Sequence, residues 1–279
     1  MPLINTLSSG KSQINKISSF CEILENKLPD QNILFTDLLE HFNKRILKED
    51  NCITREALSN SHGDWYEWLL SISSWNISKE NNSYLALLLP TIATYDVSKL
   101  YETNLYELIL DLRDKVEKAA SVQLITSNPD YVIIDPTNLK IPNELLKPIK
   151  EITPETISMI QSAYQYFSGK CKFENIIGYI SVKTSLRPDR RLQLAHEGSL
   201  MKALYTHLQT RNWIISPRGL KYYAIVTKAN DSDINALKTV ATHSITTVHT
   251  LPQAAVDHLF IVNSLLEADK TFKNILSPK

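Results

Sequence analysis

The sequence predicts an α/β protein, a sheet core flanked by helices and carrying a mainly helical first third. Up to residue 120 the apolar residues recur at spacings of three and four, the period of helices that bury one face. From residue 122 onward short β-rich runs alternate with helical stretches, which is the pattern of a layered α/β core. The composition is that of a globular protein, with 279 residues, 43% hydrophobic and 22% charged. Its six glycines disfavour glycine-rich dinucleotide or phosphate-loop folds.

Residues 13–50 read as helical. Ile17, Phe20, Ile23 and Leu24 share a face, and after the break at Pro29–Asp30 so do Leu38, Leu39, Phe42 and Ile46. A second helix covers Asp64 to Trp75, with Trp65, Trp68, Leu69, Ile72 and Trp75 inward. A long amphipathic helix covers 97–120 on the stripe Leu105, Leu108, Ile109, Leu112 and Val116. Val122–Thr126 and Tyr131–Ile134 are expected strands, parted by the turn signal Ser127-Asn-Pro-Asp130. Residues 137–153, with Pro142 and Pro148, read as a loop. Glu155 to Phe167 reads as a helix opened by Thr153–Pro154. Ile176–Lys183 is an expected strand and Arg190–Arg211 an expected helix, with Leu200, Leu204 and Leu208 inward. Strands at Tyr222–Thr227 and Ser244–Val248 and a helix at Ala254–Leu266 complete the expectation. Residues 1–60 are a helical N-terminal part and 61–279 the core. No linker cuts the chain, so one continuous domain is expected.

Several function classes are disfavoured. Lys+Arg and Asp+Glu both number 30, so bulk charge favours no polyanion and an electrostatic site must come from local clustering. Cys21, Cys52 and Cys171 are odd in number and lack metal-ligand spacing, which disfavours a disulfide framework or a zinc site. The first residues lack the apolar stretch of a signal peptide. The longest apolar run, Tyr84 to Leu89, stops at Pro90, far short of a membrane span. A cytoplasmic protein with no membrane partner is expected.

The most informative stretch is Ser181 to Glu197. Between Lys183 and Arg191 lie four basic residues and one acid, a local charge of +3 in a neutral protein. A solvated turn between strand and helix is the plain reading. Against it, Lys183 ends an apolar strand and Pro188 stiffens the loop. Arg187, Asp189 and Arg190 combine donors and an acceptor, as reading of base edges requires: arginine bonds guanine bidentately and a carboxylate accepts from cytosine N4. The second element is Pro129–Asp130 before a strand, unremarkable alone. With Lys183 on a neighbouring strand, Asp130 can hold a divalent metal and a water beside a phosphodiester. The usual acid two residues before such a lysine is replaced by Ser181. Glu197, on the following helix, is a candidate to supply the missing carboxylate. Glu67, among Trp65, Tyr66 and Trp68, is either a metal neighbour or a buried hydrogen-bonding acid.

The segments ITSNPD (125–130), SVKT (181–184) and RPDRRLQLAHEG (187–198) resemble the CCGG-cutting type II restriction endonucleases of the PD-(D/E)XK superfamily. The resemblance is closest to members that recognise purine-CCGG-pyrimidine, and it runs from about Gly63 to near the C-terminus. It implies a restriction-endonuclease-like core, a central mixed β-sheet flanked by helices, with a helical N-terminal subdomain. It implies Asp130, Lys183 and Glu197 as catalytic residues, with Glu67 as the outlying acid and Asp130 and Glu197 as metal ligands. Arg187, Asp189 and Arg190 would read the CCGG core in the major groove of double-stranded DNA. Mg2+ as cofactor, and homodimers assembling into a homotetramer in the bacterial cytoplasm, are also implied.

The remaining residues take plainer readings. His196 is expected on a helix surface and the Tyr222–Tyr223 pair in strand packing. His243 either contacts DNA or packs under the sheet, and Trp213 is either buried or exposed for an oligomer contact. Two alternatives to a restriction enzyme stay open: a structure-specific repair or recombination nuclease with the same core, and a DNA-binding module without catalysis. The first has no need of the Arg-Pro-Asp-Arg unit. The second has no use for Asp130, Lys183 and Glu197 together.

Overall fold

The computed structural model describes residues 2–6, 11–80, 84–124, 128–246 and 251–278. A short antiparallel hairpin, β1 (Ile4–Thr6) and β2 (Ser12–Ile14), precedes α1 (Lys16–Ile23) and α2 (Phe35–Glu49). The expected helix therefore begins at Lys16, where Asn15 caps it by accepting from the Ser18 amide. Then comes α3 (Arg55–Glu80), longer than its aromatic stripe indicated. This helix is buried on nearly every side between Trp65 and Ser78, so it is a central pillar. Its interior serines do not interrupt it: Ser71, Ser74 and Ser78 each bond a carbonyl of the preceding turn. Phe20 and Phe42 meet Trp68 and Trp65 edge to face at 5.2 and 4.8 Å between ring centres. The N-terminal helices thereby share one core with the remainder.

The sheet consists of β3 (Leu85–Leu88), β4 (Tyr131–Ile134), β5 (Ile176–Lys183), β6 (Lys221–Val226) and β7 (His258–Ile261), in that spatial order. β3, β4 and β5 pair antiparallel, while β5, β6 and β7 pair parallel, so the sheet is mixed. The remaining helices are α4 (Thr103–Ala120), α5 (Pro154–Ser162), α6 (Pro188–Arg211), α7 (Asp231–Leu237) and α8 (Leu265–Leu276). Residues paired across strands point to the same face, so register assigns the faces. Tyr131 and Ile180 face α3, where the Tyr131 hydroxyl meets Ser71 at 2.8 Å. Tyr179, Ser181, Lys183 and Tyr222 face α6.

Several expectations are corrected. Leu85–Leu88, read only as an apolar run, is a strand buried along its whole length. Val122 to Leu124 are not strand, and 125–127 lie outside the described residues. Thr242–Ile245 is a 3-10 turn, not the start of a strand, and 247–250 lie outside the described residues. The helix expected at Ala254–Leu266 is instead β7 followed by α8, because Ser264 caps the helix from its own side chain. On α6 the inward face runs through Leu194, Glu197, Gly198, Met201, Leu204 and Leu208, and Leu200 is only half-buried. Among the described residues no helix is long and apolar enough to cross a membrane.

Candidate active site

β4 enters the sheet beside the point where antiparallel β5 leaves it. Asp130, the residue before β4, therefore lies next to Ser181, Val182 and Lys183 at the end of β5. The last strand pair is Tyr131 with Ile180, and beyond it the Val182 amide needs another acceptor. Asp130 Oδ2 supplies one, accepting from the Val182 N–H, from Ser181 Oγ at 3.0 Å and from Lys183 Nζ at 3.1 Å. Alternation along β5 puts Ser181 and Lys183 on the face covered by α6. All three contacts fall on Oδ2, and among the described residues no donor reaches Oδ1.

Glu197 comes to the same place from α6. The helix runs close to the sheet because residue 198 is glycine: a β-carbon there would collide with the Ala255 carbonyl and the Tyr222 ring. Glu197 is 4% exposed. Its Oε2 accepts from the Tyr222 hydroxyl at 2.8 Å and lies 3.3 Å from Ser181 Oγ, and its Oε1 accepts from Gln193 Nε2 at 2.8 Å. Burial, with the Glu197 charge beside it, pushes the Tyr222 phenol well above its ordinary pKa, so it remains a donor. Ser181 has one hydroxyl proton and stands between two carboxylates, so it can satisfy only one at a time.

Glu67 lies on α3, across the sheet edge. Its backbone carbonyl accepts from Ser71 and from the Tyr131 hydroxyl. Burial holds its carboxyl well above the usual range, reinforced by the Asp130 and Asp64 carboxylates and partly offset by Lys183 and Lys16. It therefore adjoins the cluster electrostatically.

Arg187 precedes α6, Pro188 occupies its first turn, and Asp189 and Arg190 follow. Arg187 NH2 lies 3.5 Å and Arg190 Nε 3.8 Å from Asp189 Oδ2, with all three side chains open to solvent. Arg191 is not part of this group; it pairs with Asp233 of α7 at 3.1 Å and anchors the start of α6. The seven candidate residues therefore form two groups. Asp130, Lys183 and Glu197, with Glu67 adjoining, cluster at the sheet edge, while Arg187, Asp189 and Arg190 ring the helix entrance.

Two side chains of the cluster were missed in the sequence. Tyr222, expected to do no more than pack, donates to Glu197; nothing local marks it, since its register against β5 is a long-range fact. Gln193 stands four residues before Glu197, a spacing that brings helix side chains together and was readable. His196 is exposed, as expected. His243 is half-buried, 3.4 Å from Thr206 Oγ1, and Trp213 is 90% exposed.

The chemistry available is that of hard oxygen ligands beside a cation. Among the described residues no three His, Cys, Asp or Glu side chains converge to hold a metal ion. Two carboxylates do meet, at a serine unable to satisfy both. A divalent ion that keeps several waters and takes one or two carboxylates fits that donor set.

The sheet and its flanking helices are a restriction-endonuclease fold. Two solved structures share it: Type IIF restriction endonuclease Bse634I with cognate DNA (TM-score 0.90, 32% identity, 98% of this chain and 97% of that one) and Bse634I restriction endonuclease (TM-score 0.89, 33% identity, the same coverage). The type II restriction enzyme Cfr10I of Citrobacter freundii is 44% identical over 250 residues, 88% of this chain and 87% of its own. The family model for Cfr10I/Bse634I restriction endonucleases matches residues 3–278, and the chain belongs to that family. It is a type II restriction endonuclease, a site-specific deoxyribonuclease.

Proposed function

We propose that the protein is a PD-(D/E)XK nuclease of the bacterial cytoplasm that hydrolyses double-stranded DNA at R/CCGGY, leaving 5′ overhangs, with Mg2+ as cofactor. The observation that carries this reading is the meeting of Asp130 and Glu197 at Ser181. It supports relocation of the second acid from β5, where serine stands, to the helix behind it.

Asp130 and Glu197 would hold the divalent ion. Such an ion, when bound, neutralises charge on the phosphate and acidifies water. Lys183, kept in place by Asp130, orients the attacking water and faces the phosphate with a positive charge. Glu67, whose pKa is raised chiefly by burial, lies at the edge of the cluster and can hydrogen-bond water there.

Arg187 and Arg190 would take the guanines of one half-site and Asp189 the cytosine amino groups. Asp189 repels the phosphate backbone and is tolerated only where donors face it, which penalises wrong sequences. A palindrome presents the same edges twice, so a two-fold homodimer reads both halves. Trp213 and Ile215, 90% and 94% exposed, support a further contact in which dimers join as a homotetramer.

The test is to incubate plasmid DNA with the protein and Mg2+ and to sequence the ends produced. Discrete fragments opening before CCGG support the proposal. Diffuse nicking, or fragments ending at another sequence, would overturn the assigned specificity.

A further inference from the structure

Gln193 is a half-buried polar side chain to which the function just proposed assigns no part. It follows Arg190 by three residues and precedes Glu197 by four, so the three share one face of α6. Gln193 Oε1 accepts from Arg190 NH1 at 3.1 Å, and its Nε2 donates to Glu197 Oε1 at 2.8 Å. These neighbours fix the orientation of the carboxamide, because a guanidinium only donates and a carboxylate only accepts.

We propose that Gln193 is a positioning residue, a strut that couples base reading by Arg190 to metal holding by Glu197. The inference rests on the roles proposed above for those two residues. Arg190 has five N–H donors, and the bond to Gln193 uses one, so the fork can engage a guanine while keeping the strut. A guanidinium seated on its base is fixed in place, and Gln193 passes that position to Glu197 Oε1. Oε2 is held separately, by Tyr222. When Arg190 meets a wrong base and swings away, the amide loses one of its two partners. The bond to Glu197 Oε1 is then no longer braced from the other end, and the carboxylate is freer to turn about its Oε2 contacts. The wrong sequence thus weakens the metal site as well as the protein–DNA contact. Coupling of this kind is reciprocal: if the right base strengthens metal holding, metal must strengthen preference for the right base by the same factor.

The experiment is an equilibrium gel shift with the full-length protein, with Ca2+ as the probe metal. The affinity ratio of a CCGG duplex over a scrambled duplex is measured in EDTA and again in millimolar Ca2+. Wild type should gain preference on adding Ca2+ by about 10-fold, within the usual range of coupling between sites. Gln193→Met keeps length and flexibility but forms neither strong hydrogen bond, and its gain should fall below about 2-fold. Gln193→Asn, too short to span both partners, should behave like Gln193→Met. A residue with a merely structural part would lower the melting temperature and both affinities together, leaving the Ca2+ gain unchanged. A Gln193→Met protein that folds and keeps the full gain overturns the strut, as does a wild type whose CCGG preference ignores Ca2+. A wild type with no CCGG preference in either condition instead overturns the assigned specificity, and the strut with it.

Discussion

The first turn of α6 and its third turn are parts of one helix, yet they meet opposite conditions. Arg187 and Asp189 expose 67% and 63% of their side chains, while Glu197, two turns on, is 4% exposed. The acid has its partners built in, from Tyr222 on one side and Gln193 on the other. The basic group has Asp189 and a single bond from Arg190 to Gln193, and leaves its other donors to solvent and to partners from outside. A reading element must leave its donors unsatisfied by the protein, whereas a metal-holding carboxylate must be kept from turning. With the roles proposed above, mounting both on one rigid helix fixes the distance between sequence reading and chemistry.

Substitutions in the two regions should therefore fail differently. The largest effect is expected at the buried end. Lys183→Ala removes the cation beside Asp130 and should slow cleavage by about 10²–10⁴-fold. Binding of a CCGG duplex should stay within a few-fold of wild type in a gel shift, and cutting near the wild-type rate would remove Lys183 from the chemistry.

At the exposed end, Arg187→Ala should lose about 1–3 kcal/mol of discrimination between CCGG and scrambled duplexes. Its melting temperature should not change, because the side chain is largely in solvent. An unaltered preference would show that the helix entrance does not read the site.

Gly198→Ala tests what holds the buried end. The added methyl has no room against the Ala255 carbonyl and the Tyr222 ring, and overpacking of this kind costs about 1–3 kcal/mol. Denaturant unfolding should register that loss, and cleavage should fall as Glu197 is pushed off Ser181. Unchanged stability would mean that α6 does not rely on this close approach.

The smallest effect concerns Glu67. Its folded pKa is raised above the ordinary 4.5, chiefly by burial. Below that value the folded and unfolded chains both carry the proton, and the difference costs nothing. As pH rises toward the folded pKa the unfolded chain ionises first, and stability is lost. Glu67→Gln lacks this penalty. Metal-free thermal melts should show the variant matching wild type at pH 4 and exceeding it increasingly toward neutral pH. A constant offset across that range would mean that burial does not suppress ionisation of Glu67.

Much of this division was legible in the sequence. The strands carrying the site, β4, β5 and β6, are β-rich runs bounded by turn signals, whereas the helix expected from Arg190 begins at Pro188, which from the sequence alone reads as part of the loop. Asp130 and Lys183 are candidates from the Pro-Asp turn and the strand end and Glu197 a candidate from its helix, while the three as one set rest on the family resemblance. What could not be read was long-range. Leu85–Leu88 has no alternation, because the strand is buried throughout, and leucine and alanine carry weak strand preference. His258–Ile261 is too short to assert a period of two beside apolar residues spaced as in a helix. The bond from Tyr222 to Glu197 depends on how β6 registers against β5 and on how near Gly198 lets the helix come, and no local pattern encodes either.

On the proposed function, the second acid of the site comes from α6. It is tested most directly by titrating Mg2+ over Glu197→Ala while following cleavage of a plasmid with one CCGG site, with binding measured in EDTA. The variant should bind the CCGG duplex as wild type does and fail to cut at every Mg2+ concentration. Cleavage at the wild-type rate in low millimolar Mg2+ would contradict it and leave Glu197 a buried structural acid.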